Sequence, residues 1–162
     1  MSFTIEPVTT TRDLKSFVRF PLSLYKNDPY FVPPLTHERL KFFSDDNPLF
    51  GFIDVCYFVA RNEDGRIVGR VTAHINKRHL EVTGENVGFF GFFESIENAD
   101  VASALMNAAE TWLRERGVEA IRGPYNFSTN EECGFLAEGF DRPPALMMPY
   151  TRPYYLKFME TL

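Results

Sequence analysis

The sequence predicts an α+β domain built on one mixed sheet, and three observations carry that prediction. A hairpin signal joins Val55–Arg61 to Arg66–Lys77 through Asn62-Glu63-Asp64-Gly65, because Asp-Gly supplies the positive φ that such a turn needs. A Phe/Gly strand, Val87 to Phe93, then a strongly amphipathic helix and a short strand, Val118 to Arg122, together have the length of about 35 residues that a parallel crossover requires. The chain has 162 residues, of which 44% are hydrophobic and 24% charged, the size of one domain that buries roughly two-thirds of its unfolded surface. Residues 1–162 are therefore read as a single domain.

Taken in order, Phe3 to Val8 alternates as a first strand, and Thr9-Thr10-Thr11 with Asp13 begins a helix. Leu14, Phe17, Val18 and Leu22 recur at helical spacing over Arg12 to Tyr25, with Pro21 expected to kink or break the helix. Asn27-Asp28-Pro29 stops it, Tyr30 to Pro34 is extended, and Thr36 to Phe43 forms a second short helix. In the second hairpin strand Ile67, Gly69, Val71, Ala73 and Ile75 share one face, expected to pack; Arg70, Thr72, His74 and Asn76 share the other, expected to be polar. Val82 to Asn86 turns the chain into the Phe/Gly strand, where Gly88 and Gly91 predict a bulge or a close backbone approach.

Asp100 to Arg116 is the strongest helix signal, with Val101, Leu105, Ala108 and Trp112 on one stripe, Glu110 and Arg114 paired outside, and Gly117 as C-cap. Helix N-termini bind phosphates through free N–H groups and the positive end of the dipole. Here that position carries Glu97 and Asp100, with Asp100 read as the N-cap. A long punctuated segment, 123–148, leads to a closing helix, Tyr154 to Leu162.

Composition excludes several classes. Net charge is −5 and no run of Lys/Arg exceeds two, so neither nucleic acid nor a membrane surface is expected as a partner. Cys56 and Cys133 have no disulfide or metal-ligand spacing, and His37, His74 and His79 show no metal pattern. The N-terminus lacks a basic segment followed by an apolar stretch, which reads as cytoplasmic.

The wording G-F-F-G-F-F-E (88–94), G-P-Y-N-F-S-T-N-E-E-C-G (123–134), E-G-F-D-R-P-P (138–144) and P-Y-Y (153–155), on this order of elements, resembles the GNAT (GCN5-related N-acetyltransferase) superfamily. It is similar in particular to the N-terminal part of uncharacterised bacterial GNAT-like proteins more than twice this length. The resemblance implies the acyl-CoA N-acyltransferase fold, with the family's further C-terminal strands falling beyond Leu162. It also implies acetyl-CoA or another acyl-CoA across splayed strands, with backbone at Phe90, Phe92 and Phe93 holding the thioester and Ala102 on the diphosphate. Of the family's diphosphate loop, [Q/R]-x-x-G-x-[G/A], Glu97 and Asp100 miss the first and middle positions and only Ala102 fits the last. Met159 stands where the family often has an acidic tyrosine.

Glu94, at the end of the Phe/Gly strand, is the candidate general base, since flanking phenylalanines desolvate it. Tyr154, or Tyr155 beside it, is the candidate acid. Asn126, Ser128 and Asn130 alternate in a loop and are candidates for binding a small-molecule ligand or acyl acceptor. Cys133 follows Glu131-Glu132 and reads as a poor nucleophile. Two functions compete: an N-acyltransferase with an altered donor site, and a non-catalytic ligand-binding or assembly module. An open sheet edge would favour a homodimer.

Overall fold

The computed structural model describes residues 2–162. Five strands lie in chain order: β1 (Phe3–Pro7), β2 (Ile53–Asn62), β3 (Ile67–Asn76), β4 (Val87–Ser95) and β5 (Ala120–Arg122). The pairs β1·β2, β2·β3 and β3·β4 are antiparallel, whereas β4 and β5 run parallel and pair only from Val87↔Ala120 to Phe89↔Arg122. The Asp64-Gly65 turn holds as expected, with Gly65 at φ 73°.

Helices α1 (Thr11–Leu24) and α2 (Thr36–Phe42) cover one face of the sheet, burying Phe17, Val18 and Phe43 with Ile53, Val59, Phe92 and Phe127. The crossover helix α4 (Ala99–Arg114) and the terminal α5 (Tyr154–Thr161) cover the other. There Val101, Leu105, Ala109 and Leu113 meet Val71, Ala73, Phe90, Phe93, Tyr155 and Phe158. The expected stripe on α4 is a packing face at Val101 and Leu105, but its C-terminal half is displaced by one residue, with Ala109 and Leu113 buried in place of Ala108 and Trp112, which are half-buried. Gly117 adopts the left-handed conformation (φ 77°) that ends the helix.

Two expectations are corrected, and of the kink or break expected at Pro21 the break does not occur. Residues Lys77–Thr83, read as strand end and turn, form a short helix α3 capped by Asn76, whose side chain accepts from the His79 N–H. The polar side of β3 is not solvated: Arg70, Thr72 and His74 are all buried beneath α1, α2 and the loop at Phe127. Helix α1 continues through Pro21 to Leu24. Proline has no N–H, so the Phe17 carbonyl one turn earlier loses its helical partner. Arg70 Nη1 donates to it instead, at 2.8 Å.

Candidate active site

The site begins with one extra residue in β4. Arg70 pairs with Glu94 and Thr72 with Gly91, so three steps along β4 oppose two along β3. Phe92 takes up the difference at φ 48°, a bulge of the kind the two glycines predict. Phe90 and Phe93 pack toward α4, and Phe92 packs toward α1. Because strand side chains alternate, the extra residue is what brings Glu94 to the α1 face beside Arg70. Gly91 serves the predicted close approach: a Cβ there would lie 1.9 Å from the Tyr125 carbonyl oxygen.

Glu94 is 8% exposed. Its Oε2 accepts from the hydroxyls of Tyr25 at 2.9 Å and Tyr155 at 2.7 Å, while no protein donor among the described residues reaches Oε1. Burial pushes the Glu94 carboxyl above the ordinary carboxylate range, against the pull of the Arg70 charge and the two tyrosine hydroxyls. Burial, reinforced by the Glu94 charge, raises both tyrosines as well, so they stay protonated donors. Tyr155 is fixed further by the Ser95 N–H, which donates to its oxygen at 2.8 Å. Tyr25 is stacked on Phe31, with the Arg152 guanidinium over its ring, and Arg152 in turn pairs with Asp28 at 3.1 Å.

Arg70 is 7% exposed. Its guanidinium lies 4.9 Å from the centre of the Phe17 ring and is anchored by the Phe17 carbonyl. Burial pulls its pKa down to about 10, which leaves it cationic at neutral pH. Among the described residues its Nε is buried without a well-formed hydrogen bond, as are Thr72 Oγ1 and both ring nitrogens of His74, although the Phe127 backbone lies near enough to that ring to favour its charged form. Burial pushes the His74 pKa down to about 3, so that ring is neutral.

Above Arg70 and Glu94 opens a cleft of about 450 Å³. Val18, Pro21 and the extended 31–34 segment form one wall, residues 144–151 the other, and Phe92 and Phe93 line the floor. Arg39 and Glu132 pair at 3.2 Å at its edge. Glu132 accepts from Asn126 Nδ2 at 3.0 Å, and Asn126 Oδ1 accepts the Phe92 N–H at 2.8 Å.

The donor end of the resemblance is tested at the mouth of α4. The N-cap there is Asn98, not Asp100: its Oδ1 accepts from the N–H groups of Asp100 at 2.9 Å and Val101 at 3.3 Å. The Ala102 N–H is spent on the Asn98 carbonyl and the Asn98 N–H on that of Ile96. Amides that would cradle a CoA diphosphate are therefore satisfied from within, beside the Asp100 carboxylate, and these residues do not fit that group. The neighbouring β4 edge is engaged too. Tyr125 N–H donates to the Phe90 carbonyl at 2.8 Å, Asn126 takes the Phe92 N–H, and the Ser95 carbonyl accepts from Tyr154 at 2.8 Å.

Of the residues singled out in the sequence, the structure brings Glu94, Phe92, Phe93 and Asn126 to one cleft. Tyr154 points to the Ser95 carbonyl rather than to Glu94, and its neighbour Tyr155 holds the carboxylate. Phe90, on β4, and Ala102, on α4, are core residues between the sheet and that helix. Ser128 accepts from the Asn130 N–H inside its own turn, and Asn130 is exposed. Arg70, Tyr25, Arg39 and Glu132 were not anticipated as site residues. Arg70 had a signal, a cation inside an otherwise short-chained strand, while Tyr25 had none, because its role depends on a contact 69 positions away.

Comparison with known proteins places the fold and the family. Residues 22–131 match the Acetyltransferase (GNAT) family. The chain is 44% identical over 150 residues to Protein YghO of Escherichia coli K12, covering 93% of this chain and 38% of that protein. It is 39% identical over 150 residues to a bacterial ceramide synthase of Caulobacter vibrioides, covering 91% of this chain and 39% of that protein. The chain thus spans less than two-fifths of the curated relatives it matches. Among solved structures, glucosamine-6-phosphate N-acetyltransferase from Arabidopsis thaliana superposes with a TM-score of 0.54 at 14% identity, over 75% of this chain and 81% of that one. A ribosomal-protein-alanine N-acetyltransferase from Brucella melitensis gives 0.51 at 18%, over 74% and 78%. The chain belongs to the acetyltransferase (GNAT) family.

Proposed function

We propose that this member of the acetyltransferase (GNAT) family transfers an acyl group to the nitrogen of an amine held in the β3–β4 cleft. One observation carries the reading: a buried carboxylate, Glu94, lining the cleft, with one oxygen fixed by two tyrosine hydroxyls and the other without a protein donor among the described residues. A base must be poised nearer neutrality than an ordinary carboxylate and must reach its proton. Burial supplies the first property and the two tyrosines supply a fixed direction.

Glu94 Oε1 takes a proton from the amine as its nitrogen forms the new bond to the acyl carbon. The bond from that carbon to the donor's sulfur breaks, and Glu94 returns the proton to the sulfur. Tyr25 and Tyr155 keep the carboxylate oriented throughout. The acceptor proposed is an amine with an aliphatic body. Val18, Pro21, Val32 and the 144–149 segment offer it apolar walls, and one relative carries a name, ceramide synthase, that denotes N-acylation of a long-chain base. The donor proposed is an acyl thioester that does not depend on the α4 amides.

The test is direct. Incubation with acyl-CoAs of graded length and a long-chain amine should yield amide by mass spectrometry and an equal amount of free thiol. Absence of amide with every donor, while amines still raise the melting temperature, would instead support a non-catalytic amine-binding module. The self-satisfied mouth of α4 is the observation that favours that second reading.

A further inference from the structure

We propose that Arg70 reads the acceptor: its free guanidinium edge receives an oxygen on the carbon next to the amine that faces Glu94. The inference rests on the acceptor site proposed above and adds a substrate class to it, amines with a neighbouring hydroxyl or carboxylate.

Arg70 has five N–H donors on a rigid planar fork. Nη1 is committed to the Phe17 carbonyl. Nε has no partner, no hydrogen bond to protein occupies Nη2, and the residue lines the cleft. Those two nitrogens form one side of the fork, the side suited to a paired contact with oxygen. That side of the buried cation is unpaired: the Glu94 charge acts on Arg70 from the facing strand, yet no direct ion pair forms between them although their strands place them opposite each other. An oxygen acceptor from the ligand supplies the missing partner.

Position separates the acceptor from the donor. Arg70 stands on β3, with β4 between it and β5, and its anchor is α1. It therefore addresses what enters between α1 and the sheet, not what approaches from the β4/β5 side. Glu94 and Arg70 together make a two-point receptor, one point for nitrogen and one for oxygen, beneath apolar walls.

The experiment is titration calorimetry of the unmodified protein with octylamine, 2-aminooctan-1-ol and 2-aminooctanoic acid. The chain is common to all three, and the last two separate hydroxyl from carboxylate as the source of the oxygen. At least one oxygenated ligand should bind more than about tenfold tighter than octylamine, as expected when a buried donor is otherwise left unpaired. The preference should fall to within about twofold in both Arg70→Lys and Arg70→Gln, since lysine keeps the charge but not the fork. Each preference is a ratio within one variant, so partial unfolding cancels. A wild-type ratio below tenfold, or one that survives both Arg70 substitutions, overturns the proposal. A ratio that behaves as stated in a protein that makes no amide leaves the receptor standing and removes the acyl-transfer reading; amide formation without the ratio does the reverse.

Discussion

The mouth of α4 and the floor of the cleft are both places where polar groups gather, and they treat those groups in opposite ways. At the mouth, one asparagine side chain and its carbonyl take the amides of Asp100, Val101 and Ala102. At the floor, Arg70 Nε is buried with no hydrogen-bond partner among the described residues, and farther along β3, outside the cleft lining, Thr72 Oγ1 and both nitrogens of His74 are in the same condition. Leaving such a group unpaired costs about 1–3 kcal/mol. Polarity that closes on itself serves the fold; of the unpaired groups only Arg70 lines the cleft, where the proposed acceptor would meet it.

The sharpest way to break this contrast is at Glu94. Glu94→Gln keeps the shape and the tyrosine contacts but removes the base, so amide formation should fall about 10²–10⁴-fold with melting temperature little changed. The wild-type rate should also rise with pH through a value above the ordinary carboxylate range, following the raised pKa of Glu94. Loss of stability with no loss of rate would make Glu94 a packing group.

Second in size is His74→Phe. The ring is stacked against Phe89 and edge-on to Phe127, so an apolar ring of similar shape should raise stability by about 1–2 kcal/mol by chemical denaturation. The sign of the pH effect follows from a folded pKa of about 3 below the ordinary 6.5. Stability is complete above about 6.5 and falls with acid toward 3, by about 1.4 kcal/mol per pH unit. His74→Phe should lose that slope. Destabilisation would show that the ring makes a hydrogen bond that phenylalanine cannot, and an intact slope would assign the pH dependence to another group.

At the mouth, Asn98→Ala should cost about 1 kcal/mol, the loss of an N-cap. Asp100→Asn should change stability by less than about 0.5 kcal/mol, as befits an exposed first-turn carboxylate. If either variant gains a thermal shift from acetyl-CoA that the parent lacks, the mouth is a masked donor site and the contrast narrows.

Elements with a strong local pattern were legible in the sequence: the 64–65 turn, the α4 stripe and its closing glycine, and the Phe/Gly strand with its bulge. The α3 turn was missed because its cap, Asn76, also completes the alternation of β3. Asn98 and Asp100 both suit a cap and lie two positions apart, so the sequence does not separate them; the φ of −146° at Asn98 does. Glu94 was legible from its apolar neighbours. Its companions were not: Arg70 looked solvent-facing until α1 and α2 covered it, and Tyr25 and Tyr155 meet the carboxylate only through tertiary packing.

Pro21 ties the two halves of the cleft into one piece. By withholding a single hydrogen from α1, it turns a helical carbonyl into the seat of a guanidinium on the sheet. A shift of that helix along its axis would consequently drag the cation with it, so the aim of the floor is set by how the N-terminal segment sits.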